Sequence, residues 1–210
     1  RKIAYIANKK DELVTGLEQL VDELELIAVS ALKDTDLSAF DAVVLGIRIY
    51  NTDPQLVNFH TQLRNYVEAG GVLITQYNTP YDLSVEELGA YPLTVSGERI
   101  TDVDSVVSFL EPDHRILNYP NKIRQHDFAN WVQDRGLFLP KSWNSEFKPV
   151  LRIQNFDRGD EDGLLLISRK GKGYYIYSSL SLFRQLPAAV PGAYRLFANM
   201  LSIGVSEISV

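Results

Sequence analysis

Cysteine is absent from the 210-residue chain. That removes disulfides, thiolate metal sites and thiol nucleophiles together, and it leaves the compartment open. Histidine is scarce, with His60, His114 and His126 the whole supply, and Met200 is the sole methionine. No apolar run approaches the roughly 18–20 residues needed to cross a bilayer, so no membrane span is expected. A surplus of basic residues is missing too. The net charge of −6 argues against phosphate-backbone binding as the main task, and no nucleic-acid partner is expected. Internal repeats and low-complexity tracts are absent. The chain opens on Arg1 and runs straight into an apolar stretch, so it is read as a piece of a longer protein whose targeting segment lies upstream.

What remains is the composition of a packed domain. Hydrophobic residues make up 45% and charged residues 23%, enough for a core and too apolar for global disorder. One α/β domain over 1–210 is expected. Residues 2–7 form a short apolar run, and Leu13, Leu17, Leu20, Val21 and Leu24 share one helical face. Strands follow at 25–29 and 41–47. Near-continuous apolar strands between helices predict a parallel sheet covered on both faces.

The next helix has the strongest signals. Thr52 or Asp53 can cap it, Pro54 suits its first turn, and Leu56, Phe59, Leu63, Tyr66 and Val67 form its buried stripe. Gly70-Gly71 ends it, and Val72–Gln76 is the fourth strand. The middle, 77–147, is irregular and holds both tryptophans, Trp131 and Trp143, with short strands near 93–95 and 105–110. Strands at 148–154, 163–169 and 173–179 come next, the last two joined as a hairpin through Lys170-Gly171-Lys172-Gly173. A helix over 191–202 closes the chain.

In an open parallel sheet, ligands bind beyond the carboxyl ends of the strands. Two such ends are rich in hydrogen-bonding groups and aromatics: Arg48, Tyr50 and Asn51 after the third strand, and Gln76, Tyr77 and Asn78 after the fourth. Arg48 can hold a carboxylate or a sugar hydroxyl with its fork of donors, or it can fix its own loop by an internal salt bridge. Trp131 and Trp143 can stack on a sugar face or cover the sheet. Arg184 and Gln185, after the last strand, can reach the same crevice or brace the final helix. His126-Asp127 lacks a third ligand for a metal. Ser178, Ser179 and Ser181 lack a G-x-S-x-G elbow. The run Asp157–Gly163 lacks the spacing of an EF-hand loop and reads as an exposed acidic turn.

The order of strand, Asp41–Gly46, helix, Tyr66–Gly71 and Val72–Ile74 resembles the class I glutamine amidotransferase-like fold, a flavodoxin-like sheet sandwiched by helices, here with an irregular insertion and a late hairpin. The hairpin Gly171–Leu180 is similar to the trehalose-utilisation (ThuA-like) branch. Nearly the whole chain resembles the C-terminal region that follows the catalytic domain in some bacterial PIG-L/LmbE-type deacetylases. That resemblance runs through Gly46–Thr52, Gln76–Thr79, Pro120–Ile123, Asp127-Phe128 with Trp131–Leu137, and Phe183–Pro187 with Val190–Phe197.

The resemblance implies an accessory domain of a carbohydrate (N-acetylglucosaminyl) deacetylase, with that deacetylase domain as its upstream partner in the same chain. It also implies a glycan as ligand and a periplasmic or secreted location. The departures exclude the superfamily's thiol chemistry, which needs a thiolate, a histidine and a carboxylate. Tyr77 or Asn78 stands at the nucleophile elbow, and Ser178–Ser181 stands where the histidine would follow. The expectation is therefore a non-catalytic glycan-binding or docking domain without metal or cofactor. The ligand contacts expected are Arg48, Tyr50, Asn51, Gln76, Tyr77, Asn78, Trp131, Arg184 and Gln185. The alternatives are an enzyme that uses Tyr77 with Arg48, which needs a phenol pKa below its ordinary value of about 10, and a purely structural or dimerisation domain.

Overall fold

The computed structural model describes residues 1–83, 85, 87–88 and 90–205. Positions 84, 86 and 89, within the stretch expected to be irregular, and the last five residues lie outside the described residues. The first half runs β1 (Lys2–Ile6), α1 (Glu12–Leu17), β2 (Glu23–Ile27), β3 (Ala42–Leu45), α2 (Ile49–Thr52), α3 (His60–Ala69) and β4 (Val72–Gln76). The middle adds β5 (Leu93–Val95), β6 (Arg99–Ile100), β7 (Val107–Phe109), β8 (Gly136–Leu137) and β9 (Pro140–Trp143). The chain then closes with β10 (Lys148–Ile153), β11 (Glu161–Lys170), β12 (Gly173–Ser178), α4 (Leu182–Gln185) and α5 (Pro191–Ser202).

Eight strands form one sheet in the order β2-β1-β3-β4-β12-β11-β10-β7. The first five are parallel, and β11, β10 and β7 continue antiparallel. The parallel order expected of the first half holds over five strands, and the late hairpin, also expected, makes the sheet as a whole mixed. The cause is the tight turn at Gly171: a connection this short can only reverse the chain, whereas a parallel neighbour needs a crossover. The leading order 2-1-3-4 is that of a flavodoxin-like sheet. Helices cover both faces. Ile3, Tyr5, Val44, Ile74 and Ile176 pack with α1, α4 and α5, while Ala4, Ile6, Val43, Leu45 and Tyr177 pack with α2 and α3. Burial on both faces explains why these strands read as unbroken apolar runs. Among the described residues no helix is long and apolar enough to cross a membrane.

Two helices differ from the sequence reading. The helical stripe Leu13–Leu24 yields only α1, because Glu23–Ile27 is claimed by parallel pairing with Lys2–Ile6 in the register Lys2↔Glu23. The helix expected between the Thr52 or Asp53 cap and Gly70 does start at Asp53 and Pro54, but it winds as a 3₁₀ segment over Pro54–Phe59 before continuing as α3, and a short separate helix, α2, precedes it. Asp53 lies at φ −141°, ψ 88°, outside the helical region, as expected of a residue whose α conformation the following proline disfavours. Its carboxylate then accepts from the Gln55 amide at 3.1 Å and restarts the winding. Gly70, at φ 128°, ends α3 as predicted.

The late hairpin closes the amino end of the sheet. A Cβ on Gly173 would lie 2.1 Å from the Val67 carbonyl and 2.2 Å from that of Gly71. Only glycine lets β12 begin this close to the end of α3. At the other edge, α5 is tied to the irregular middle by one buried amide. Asn199 donates Nδ2 to the carbonyls of Ile116 (2.8 Å) and Asn121 (2.7 Å), and its Oδ1 accepts from the Asn121 amide at 2.9 Å. Replacing it by alanine leaves buried carbonyls without donors. Asn199→Ala is expected to lower stability by about 3 kcal/mol, read as a reduced midpoint in urea unfolding with an unchanged slope.

Candidate functional site

The carboxyl ends of β3 and β4 are joined by side-chain amides. Asn78 Oδ1 accepts from the Tyr50 amide at 3.1 Å, and its Nδ2 donates to the Gln76 carbonyl at 3.0 Å. Asn51 Oδ1 accepts from the Thr79 amide at 2.9 Å, while its Nδ2 donates to the carbonyls of Thr79 and Tyr81, both at 3.0 Å. Gln76 donates to the Leu45 carbonyl at 3.0 Å. Between these ties, the Arg48 amide donates to the Tyr77 carbonyl at 2.9 Å. The ties hold Arg48 in the left-handed conformation, φ 55° and ψ 25°.

This lacing sorts the residues expected to contact a ligand. Tyr50, Gln76 and Asn78 are buried and form the wall beneath the surface. Tyr50 spends its hydroxyl on His60, 3.0 Å away, and Asn51 is committed to the loops. Gln185 is also buried. Its Oε1 accepts from the Val132 amide at 2.8 Å and its Nε2 donates to Ser181 Oγ at 2.9 Å. Trp131 donates to the Asp127 carbonyl at 2.9 Å and stacks on Phe128 within the core. These six side chains position the site without facing it. Arg48, Tyr77 and Arg184 do come together, in a cleft of about 330 Å³ that Arg99, Phe138 and Phe183 help to line.

The cleft has an aromatic floor. The Tyr77 ring stacks on Phe138, with centroids 5.9 Å apart and planes at 24°, and leans on Phe183 at 5.7 Å. Tyr81, two-thirds exposed, stands at the rim edge-on to Phe138. Above the floor are three guanidinium groups. One buried carboxylate oxygen, Asp134 Oδ2, lies 3.3 Å from Arg99 and 3.7 Å from Arg184. Arg184 also donates to the Gln133 carbonyl at 3.1 Å, and Arg99 sits 5.9 Å from the Phe138 centroid. Arg48 is exposed, and its side chain has no hydrogen-bond or ion-pair partner among the described residues. Three non-glycine residues in this cleft adopt positive φ: Arg48 at 55°, Asp82 at 57° and Phe138 at 51°. Such conformations cost of order 1 kcal/mol or more each and collect at functional sites.

Burial pushes the Tyr77 phenol above its ordinary pKa, although Arg48, Arg184 and Arg99 pull it the other way. Tyr77 is therefore a poor base, which corrects the requirement that the Tyr77–Arg48 enzyme alternative placed on it. No histidine reaches the cleft: His60 contacts Tyr50, His114 Nδ1 accepts from the Ile116 amide at 3.2 Å, and His126 is exposed beside Asp127. Among the described residues no three His, Asp or Glu side chains are grouped as metal ligands would be. A larger concavity of about 640 Å³ lies at the amino ends of β3 and β4, lined by Asp41, Tyr66, Gly71 and Leu201. It is at the end of the sheet opposite the laced loops and holds no cluster of guanidinium groups.

Arg99 and Phe138 escaped the sequence reading. Phe138 lies in the unpatterned run Leu137–Pro140, and Arg99 reaches the site only because β6 pairs with β8, Arg99 opposite Leu137. Phe183 and Asp134 did carry a signal, through their places in the segments Phe183–Pro187 and Trp131–Leu137 that bear the resemblance.

Two outcomes follow. Arg48→Gly removes the left-handed penalty of an L-residue and is expected to raise stability by about 1 kcal/mol, measured by urea unfolding. Burial also holds His60 and His114 below the ordinary histidine pKa. As pH falls, the unfolded chain therefore takes up protons first. Stability is fully present above about pH 7 and declines as pH drops through about 6.5. Melting temperature is expected to fall across that window. His114→Asn, which keeps an acceptor for the Ile116 amide, should flatten the slope.

No family model matches the chain, and no curated protein matches it. Solved structures do. The chain is similar to cytoplasmic protein STM3548 from Salmonella typhimurium, at 13% identity and a TM-score of 0.64, over 96% of this chain and 98% of that one. It is similar to the β-galactosidase from Rahnella sp. R3, at 12% identity and 0.60, over 95% of this chain but only 30% of that one. PurLQS from Thermotoga maritima matches at 14% identity and 0.59, over 96% of this chain and 97% of that one. At such identities the likeness establishes the fold: a mixed α/β sheet flanked by helices, of the flavodoxin-like kind.

Proposed function

We propose that this chain is a non-catalytic accessory domain that binds a glycan in the cleft between Arg48, Arg99 and Arg184. In this reading it serves a carbohydrate deacetylase, of the N-acetylglucosaminyl type, that precedes it in the same protein. The carrying observation is the cleft itself, an aromatic floor of Tyr77, Phe138 and Phe183 beneath three forked donors. Aromatic faces suit the apolar C–H surfaces of a sugar ring, and guanidinium groups supply planar arrays of donors to its oxygens. The chain offers no thiol for acyl transfer, and burial works against Tyr77 as a base.

Two further points support the reading. The same fold accounts for 30% of a β-galactosidase chain, so it is carried inside at least one larger sugar-acting protein. The sequence segments Gly46–Thr52, Trp131–Leu137 and Val190–Phe197 resemble the region after the catalytic domain of PIG-L/LmbE-type deacetylases. On that resemblance the fold is the class I glutamine amidotransferase-like, ThuA-like variety, and the location is periplasmic or secreted. Fold alone carries no function, so the test addresses the cleft. Calorimetric titration with N-acetylglucosamine-containing oligosaccharides is expected to give saturable binding, weakened about tenfold or more in Tyr77→Ala and in the exposed-site variant Arg99→Ala. Absence of binding across a broad glycan panel would sink the proposal.

A further inference from the structure

We infer that the cleft selects an acidic glycan, one that presents a sugar carboxylate to Arg48, over its neutral counterpart. The inference rests on the glycan reading above and specifies its ligand class. Three features carry it. The first is local charge. Arg48, Arg99 and Arg184 face the cleft against Asp82 at its edge and Asp134 behind it. Among the residues that line the cleft the three guanidinium groups meet one carboxylate, Asp82, with Asp134 and Asp11 set behind the lining, so the surface a ligand meets is positive on a chain of net charge −6. Neutral sugar hydroxyls do not require such an excess, whereas a carboxylate is matched by it.

The second feature is how the donors are held. Asp134 is fully buried and presents a single oxygen, Oδ2, to both Arg99 and Arg184, at 3.3 and 3.7 Å. Each guanidinium carries five N–H donors, so this shared contact orients two forks while leaving most of their donors uncommitted. The role of Asp134 is positioning. It fixes the two cations beside the stacked Tyr77 and Phe138 rings.

The third feature is Arg48. Its guanidinium has no hydrogen-bond or ion-pair partner among the described residues, yet its backbone is held in a left-handed conformation. Asp82 and Phe138, lining the same cleft, are held likewise at positive φ. The fold thus sustains three unfavourable backbone conformations around one pocket, and Arg48 is the donor there that nothing internal consumes. A ligand carboxylate is the group whose two oxygens match that fork. A cationic, fully deacetylated amino sugar is repelled by the same charges.

The experiment is a titration series at fixed ionic strength with the full 210-residue chain. The acidic probes are tetragalacturonate and a hyaluronan tetrasaccharide. The neutral probes are the carboxyl-reduced hyaluronan tetrasaccharide and chitotetraose, and inorganic phosphate tests for a simple anion site. At least one acidic probe is expected to bind about tenfold or more tighter than the neutral probes, the size of one charge-assisted hydrogen bond. That preference should weaken with added salt and collapse in Arg48→Asn. Asparagine tolerates the left-handed backbone, so this variant keeps the loop while losing the charge, and urea unfolding verifies that it is folded. Equal binding of acidic and neutral probes overturns this inference and leaves the glycan reading standing. Phosphate binding as tight as that of the acidic probes overturns it in favour of a general anion site. If no oligosaccharide binds, both fall.

Discussion

The hydrogen bonds that Asn51 and Asn78 exchange with each other's loops are the constraint on which the site depends. Each asparagine answers backbone groups that would otherwise be left unpaired beyond the sheet, and a buried unpaired amide or carbonyl is costly. Because the donors and acceptors are distributed across both loops, neither loop can relax alone. Arg48 is held in its left-handed conformation by that agreement, and Tyr77 is turned toward Phe138 and Phe183. The polar residues that most resemble ligand contacts in sequence are therefore the frame, and the charged and aromatic groups are what the frame displays.

Electrostatics and packing act together at Asp134. A carboxylate buried this completely is tolerable only with positive partners. The partners it has are two arginines from distant parts of the chain, brought together by the pairing of β6 with β8 and by α4. The elaboration over 77–147 is thus more than a covering layer. It delivers Arg99, Phe138 and Asp134 to the end of the sheet, turning an open crevice into a cleft with a floor and charged walls.

The parallel strands and α5 were legible in the sequence because burial leaves a periodic trace. Val72–Gln76 and Pro191–Ser202 fall where the apolar pattern puts them. The helix expected through Leu24 failed because pairing with β1 outweighs a local stripe, whereas the helix expected after residue 52 starts at its Asp53 cap and Pro54 and differs only in winding first as a 3₁₀ segment. The cleft was only partly legible. Arg48, Tyr77 and Arg184 sit at strand ends, where topology predicts a site. Arg99 and Phe138 owe their positions to two-residue strands with no periodicity to read, and the positive φ of Phe138 leaves no mark in a phenylalanine. Polarity also misled: Gln76, Asn78 and Gln185 look available in sequence and are wholly committed in three dimensions.

The glycine hairpin at the far end of the sheet has a mechanical meaning. Where β12 begins, backbone meets backbone against the end of α3, with no side chain between them to yield. That end acts as a clamp. β12 is laddered to β4 residue by residue from Tyr174↔Val72 to Ser178↔Gln76, so the spacing set at the glycine turn is carried along the whole pair to the strand ends that support Tyr77 and the segment leading to Arg184.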